Sequence, residues 1–139
     1  MSIAAQHIKV PAKHYHATGG DKTAIASVYM FKGTGIIKVN DKDINQYLPR
    51  DSFKMRALQP LVAANMLSDF DCKVTVKGSG CGGQADAIRL AIAKALVSFD
   101  DGLKSVLRGL GLLTRDKRKV ERKKCGLRKA RKKEQYSKR

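Results

Sequence analysis

The sequence has no tryptophan, and aromatic residues make up only 6% of it. For a nucleic-acid ligand, phosphate contact is then a better main binding mode than base stacking. No apolar stretch approaches the roughly 18–20 residues a membrane-spanning helix needs. There are three cysteines, Cys72, Cys81 and Cys125, and no C-x-x-C pair, so a zinc knuckle is not supported. Their odd number, without a secretory signal pattern, points to reduced thiols in a cytosol-like compartment, acting as inert packing or surface residues. His7, His14 and His16 lie near the N-terminus with no cysteine or carboxylate at ligand spacing, so no metal site is expected. No nucleophile–base pair or carboxylate constellation suggests catalysis, and neither a cofactor nor a small-molecule substrate is expected.

Acidic residues are the other scarcity: 12 against 29 Lys and Arg, for a formal charge of +17 in 139 residues. A compact chain with that charge repels itself unless a polyanion neutralises it. The charge is uneven. Thr114 to Arg139 holds 14 basic and three acidic residues, a net of +11, which leaves +6 for residues 1–113. The whole sequence is 42% hydrophobic, and it is long enough for one domain with a core. The expected division is a mobile segment at 1–13, a globular body at 14–113 and an extended basic tail at 114–139.

Alternation predicts a strand over Lys22–Phe31, with Ala24, Ala26, Val28 and Met30 on one face. "KGTG" at 32–35 reads as a turn and "IIKVN" at 36–40 as its partner strand, together a hairpin. A short helix is expected over Asp43–Leu48. Asp51 or Ser52 is placed as the cap of a helix towards Gln59, and Pro60 in the first turn of another through "LVAANML". "FDCKVTVKG" at 70–78 is a third strand. Gly83–Phe99 is a helix, with Ile88, Ala91, Ile92, Ala95 and Phe99 on one stripe. A last helix carries Leu103, Val106, Leu107 and Leu110, capped by Asp100 or Asp101. Beyond it no apolar periodicity remains, and such charge blocks are usually disordered alone.

Gly78, Gly80 and Gly83 fit G-x-G-x-x-G between a strand and a helix, where a dinucleotide fingerprint would sit. That fingerprint also requires a second strand ending in an acidic residue about 20 positions on. Asp100 and Asp101 lie at that distance but directly follow the helix, so nicotinamide, flavin and ATP binding are not expected. The glycines read as a tight turn packing the helix on the sheet, with a helix N-terminus that offers N–H groups to a phosphate as a secondary role.

"GSGCGGQADAIRLAIAKAL" resembles the glycine-rich signature of the ribosomal protein S nine family of the small subunit. "GLLTRDKRKVERKKCGLRKARKKEQYSKR" resembles that family's bacterial-type tail, and "ATGGDKTAIASVYMFKGTGIIKVNDKDINQYL" its N-terminal hairpin region. The likeness covers residues 14–139. It implies an α+β fold of the ribosomal protein S five domain-two type and a place in the head of the small subunit. The implied partners are small-subunit rRNA, neighbouring ribosomal proteins and the peptidyl-site tRNA, in a cytoplasmic ribosome with an organellar one left open. By this resemblance Lys138 and Arg139, with Ser137 beside them, approach the tRNA anticodon stem-loop. Candidate rRNA contacts in the body are Lys22, Gly80, Gly82, Gly83, Gln84 and Arg89. In the tail they are Arg115, Arg118, Lys119, Arg122, Lys123, Lys124, Arg128, Lys129, Arg131, Lys132, Lys133 and Tyr136, the arginines bridging phosphate oxygens and the lysines acting as point charges. Gly126 permits a turn between the two basic blocks. Leu127 and Cys125 either pack or are tolerated, and Tyr136 either stacks or stays mobile. One stretch departs from the family: "TGGDKTAIASV" has Gly20, Asp21 and Ser27 where basic residues are usual, and only Lys22 remains. The charge of "RDKRKVERKK" is available to compensate.

DNA compaction, an enzyme built on the glycine loop and a membrane-surface or importin-bound segment are the competing readings. The last of these lacks an amphipathic stripe.

Overall fold

The computed structural model describes residues 8–138. Its elements are β1 (Tyr15–Asp21), β2 (Ala24–Lys32), β3 (Ile37–Val39), β4 (Lys42–Asp43), α1 (Ile44–Tyr47), α2 (Asp51–Ala63), β5 (Phe70–Lys77), α3 (Cys81–Phe99) and α4 (Leu103–Gly109). The strands form one sheet in the order β1-β2-β5-β3-β4. Pairing is antiparallel except between β3 and β5. Helices cover one face: α3 lies along β1 and β2, and α2 packs beside α3. This is a mixed α+β domain, as expected.

Alternation is what makes one face apolar. Ala24, Ala26, Val28 and Met30 of β2 are fully buried, and Phe70, Cys72, Val74 and Val76 of β5 are buried beside them. Burial pushes the Cys72 thiol up to about 12, which keeps it protonated and unreactive. From below, α3 offers the expected stripe of Ile88, Ala91, Ile92 and Ala95, all fully buried. Its alanines let it approach the sheet closely. A Cβ on Gly19 of β1 would stand 2.3 Å from the Ala87 carbonyl oxygen and 2.5 Å from the Ala91 nitrogen. A glycine is required there because strand and helix backbones touch.

The expected hairpin between residues 22–31 and 36–40 does not form. β2 pairs instead with β1, from Tyr15↔Met30 to Asp21↔Ala24. β1 went unrecognised because, after Tyr15 and His16, "ATGGD" is made of small and turn-forming residues of low strand propensity, with Gly19 required by the close approach of α3. The "KGTG" turn carries the chain across the start of β5, so that β2 lies on one side of that strand and β3 on the other. One side chain fixes the crossing. Asp71 Oδ1 accepts the N–H groups of Thr34, Gly35 and Ile36, each at 2.8 Å.

The helices also require corrections. Pro60 does not start a helix; it lies within α2, near its end. It removes the hydrogen bond to the Arg56 carbonyl, but Arg56 is exposed and water can serve that oxygen. Neither Asp51 nor Ser52 caps α2, since the capping position is Arg50, without a side-chain bond. Gly102, not an aspartate, precedes α4, although Asp100 Oδ1 accepts the Gly102 N–H at 2.8 Å. Of the stripe expected on α4, Leu107 is buried while Val106 and Leu110 are exposed. α3 begins two residues earlier than expected, at Cys81.

Candidate nucleic-acid interface

β5 ends at Lys77 and α3 begins at Cys81, so three residues make the glycine loop. Gly78 has φ +83°, and a Cβ on it would lie 2.3 Å from the Thr23 carbonyl oxygen. The loop is therefore pressed against the β1–β2 turn, which is the packing role. Gly80 is exposed with open space around it, Gly82 is half-buried beside the Phe53 ring, and Gly83 is buried. The first N–H groups of α3 have no partner within the helix and carry its positive end to this corner. Among the described residues no strand follows α3; α4 does. The dinucleotide arrangement is thus missing its second strand.

Gln84 is committed inward. Its Nε2 donates to the Gly78 carbonyl at 3.0 Å, and its Oε1 accepts the Tyr47 hydroxyl at 2.8 Å. Arg89 is remote from the corner, half-buried on the α2–α3 side and paired with Asp86 at 3.4 Å. Lys22 stands exposed at the tip of the β1–β2 turn, with φ 53°.

Leu112 is buried in the core, and from Thr114 on the described chain has no helix or strand. Its first residues return to the corner. Asp116, Arg118, Lys119 and Val120 line one cleft with Lys22, Thr23 and Ser79. The Arg115 guanidinium rests on Gly20, its Nε and a terminal nitrogen 3.5 Å from where a Cβ would stand. A cation from the tail thus lies over a position of β1 that has none of its own. Arg118 donates to Asp116 from its guanidinium at 2.9 Å and from its backbone N–H at 3.0 Å. The guanidinium bond, with the backbone one, holds the Asp116 carboxyl down to about 2, and the bonded carboxylate in turn raises Arg118.

Further along, Glu121 accepts from Lys124 and from Arg131 Nε, the latter at 2.9 Å. Gly126, at φ +74°, makes the expected turn between the two basic blocks. Arg128 N–H closes the loop on the Lys132 carbonyl at 2.8 Å. Arg122, Lys123, Lys129, Lys133, Tyr136, Ser137 and Lys138 are exposed. Arg139 and His7 lie outside the described residues. Among the described residues no group of three or more His, Cys, Asp or Glu could hold a metal ion, and no helix is long and apolar enough to cross a membrane.

Sequence reasoning brought Lys22, the glycine loop and the tail to the same list of residues, and they meet at one corner. It passed over the sheet face opposite the helices. Tyr29, Lys73 and Lys77 stand there, and strand alternation alone does not say which face stays uncovered.

Comparison with known proteins bears on this corner and its tail. The family model described as "Ribosomal protein S9/S16" matches residues 19–139. The "Small ribosomal subunit protein uS9" of Lawsonia intracellularis (strain PHE/MN1-00) is 48% identical over 124 residues, covering 89% of this chain and 95% of that protein. By these matches the chain is a structural, non-enzymatic ribosomal protein. The chain belongs to the ribosomal protein S9/S16 family.

Proposed function

We propose that the chain binds rRNA in the head of the small subunit, with a body at 14–113 and a tail at 114–139, and that the tail extends towards the peptidyl-site tRNA. The fold we assign is the ribosomal protein S five domain-two type, and the ribosome a cytoplasmic one. The observation that carries this reading is the segment from Thr114 on: net +11, its described residues without helix or strand and all exposed but Leu127 and Ala130, its root seated at the glycine-loop corner. Chain of that kind loses entropy when it follows folded RNA, and many phosphate contacts offset the loss. At up to about 3.3–3.6 Å per residue, the tail reaches more than about 80 Å when fully extended. Lys138 and Arg139 can then contact a tRNA phosphate while the body stays on rRNA.

Gly80, Gly82 and Gly83 meet phosphate through backbone N–H groups at the helix end, and Arg115 with Lys22 provides the cations there. Gln84 supports this corner from within. Binding of an rRNA fragment from the head, measured against salt, tests the reading. Five to eight tail charges on phosphates give a log–log slope of roughly −4 to −7, with about −0.9 per phosphate as the upper guide. Removing residues 114–139 should flatten the slope strongly while the body still melts cooperatively. An unchanged slope would move the main contacts to the body.

A further inference from the structure

We propose that the helix-free face of the sheet is a second RNA surface, which takes an unpaired strand: a base against Tyr29 and phosphates on Lys73, Lys77 and Arg115. This rests on the rRNA-binding reading and adds to it a site outside the tail and the glycine loop.

Strand register sets the side chains of this face in rows. His16, Tyr29 and Lys73 are cross-strand neighbours on β1, β2 and β5. The next row is Thr18, Ser27 and Thr75, and the one after is Gly20, Ile25 and Lys77. The Arg115 guanidinium occupies the empty place above Gly20. A hydroxyl row thus runs between two rows that each carry cations. On these three strands the one carboxylate of this face is Asp71, and its Oδ1 is taken up by the three N–H groups of the 34–36 turn. The Tyr29–Lys73 row continues onto β3 and β4 as Lys38 and Asp43, so Lys38, Lys73, Lys77 and Arg115 stand against Asp43 and the occupied Asp71; the face is cationic, and its complement is an anion.

The aromatic group narrows the kind of anion. The His16 ring lies 4.6 Å from Tyr29, at 35°, and the His14 ring 5.4 Å away, at 60°. A hydrogen bond of 2.8 Å to Ser27 Oγ holds the His16 ring in place. Tyr29 is a half-exposed ring in a fixed setting, and Ile25 beside it is 63% exposed. Stacking on such a ring needs an unpaired base, because a duplex hides its base faces. Lys73 and Lys77 are two same-face steps apart, about 13 Å along β5, and track a backbone rather than one phosphate. Arg115 connects the face to the tail, so one RNA can run from the sheet to the corner.

The test uses the full chain with two probes: a 12-nucleotide oligouridine and a 12-base-pair RNA duplex, followed by fluorescence anisotropy. Tyr29→Leu should weaken oligouridine binding about tenfold, within the range of one base–aromatic stack, and leave the duplex within about twofold. Tyr29→Phe should restore it. K73Q/K77Q should weaken oligouridine binding and reduce its salt slope by about 1.4, at about 0.7 per phosphate for single strands. Lys77 is exposed and Lys73 half-buried on the face away from the core, so this variant carries the test if Tyr29→Leu melts early. Two results overturn the inference. If the chain binds both probes and all variants match it, the tail accounts for the RNA binding and the sheet face does not contribute. If the unchanged chain binds neither probe, the rRNA-binding reading falls as well.

Discussion

Ile92 and Val120 are both aliphatic, yet the first is fully buried in α3 and the second is 99% exposed in the tail. The difference lies in their neighbours. Ile92 repeats with Ile88 and Ala95 at helical spacing, so one side of the chain can leave water. Val120 stands among Arg118, Lys119, Glu121 and Arg122, where no apolar side exists to bury. The body is held by apolar area and the tail by charge, and the two respond to different perturbations.

The largest effect should come from the body. Ile92→Ala leaves a cavity between α3 and the sheet and should cost about 2–5 kcal/mol in urea unfolding. Its RNA salt slope should stay as it was; a changed slope would break the separation between body and tail. Next comes Asp71→Ala. Loss of a carboxylate that accepts three N–H groups should cost about 1.5–3 kcal/mol, with faster hydrogen exchange at Thr34, Gly35 and Ile36. Exchange unchanged at those three amides would show that the turn holds without Asp71.

Smaller still is the removal of Ser137 to Arg139. Subunits should assemble, while filter binding should show tRNA held several-fold more weakly in the peptidyl site, on the order of 1 kcal/mol. Equal affinity and dissociation rate would remove the tail's last residues from tRNA binding. The smallest effect concerns the Asp116–Arg118 pair. A carboxyl held at about 2, against an ordinary 3.8, favours the paired conformation above the ordinary value and loses that preference as pH falls through about 2. The carboxyl carbon of Asp116, followed by NMR, should titrate near 2; a midpoint near 3.8 would mean that the Asp116–Arg118 pair does not hold in solution.

How much was legible in the sequence follows from where each constraint resides. α3 was readable because its stripe is local and periodic, and only its first two residues were missed. The mixed fold and the charged segment were readable from composition and spacing. β1 was not, because the need for Gly19 comes from Ala87 and Ala91, some seventy residues away. The false hairpin has the same origin: Asp71, which steers the turn after β2, lies 35 residues beyond Ile36. At the interface, Lys22, the glycine loop and the basic tail were legible as residue types. The seat of Arg115 on Gly20 was not, since no local pattern encodes a contact between β1 and the tail root.

β5 lies at the centre of the sheet although it is the last strand in the chain. In a chain growing from its N-terminus, β2 has only β1 to pair with until Phe70–Lys77 exists, and β3 only the two residues of β4. A lone two-stranded ribbon is marginal in water, and the apolar side of β2 also waits for α3. Between Lys32 and Phe99, at about 5–20 residues per second, several seconds pass with Val28 and Met30 lacking their final partners. The early strands are synthesised first but can become stable only together with β5 and α3, which complete their sheet and cover its apolar side.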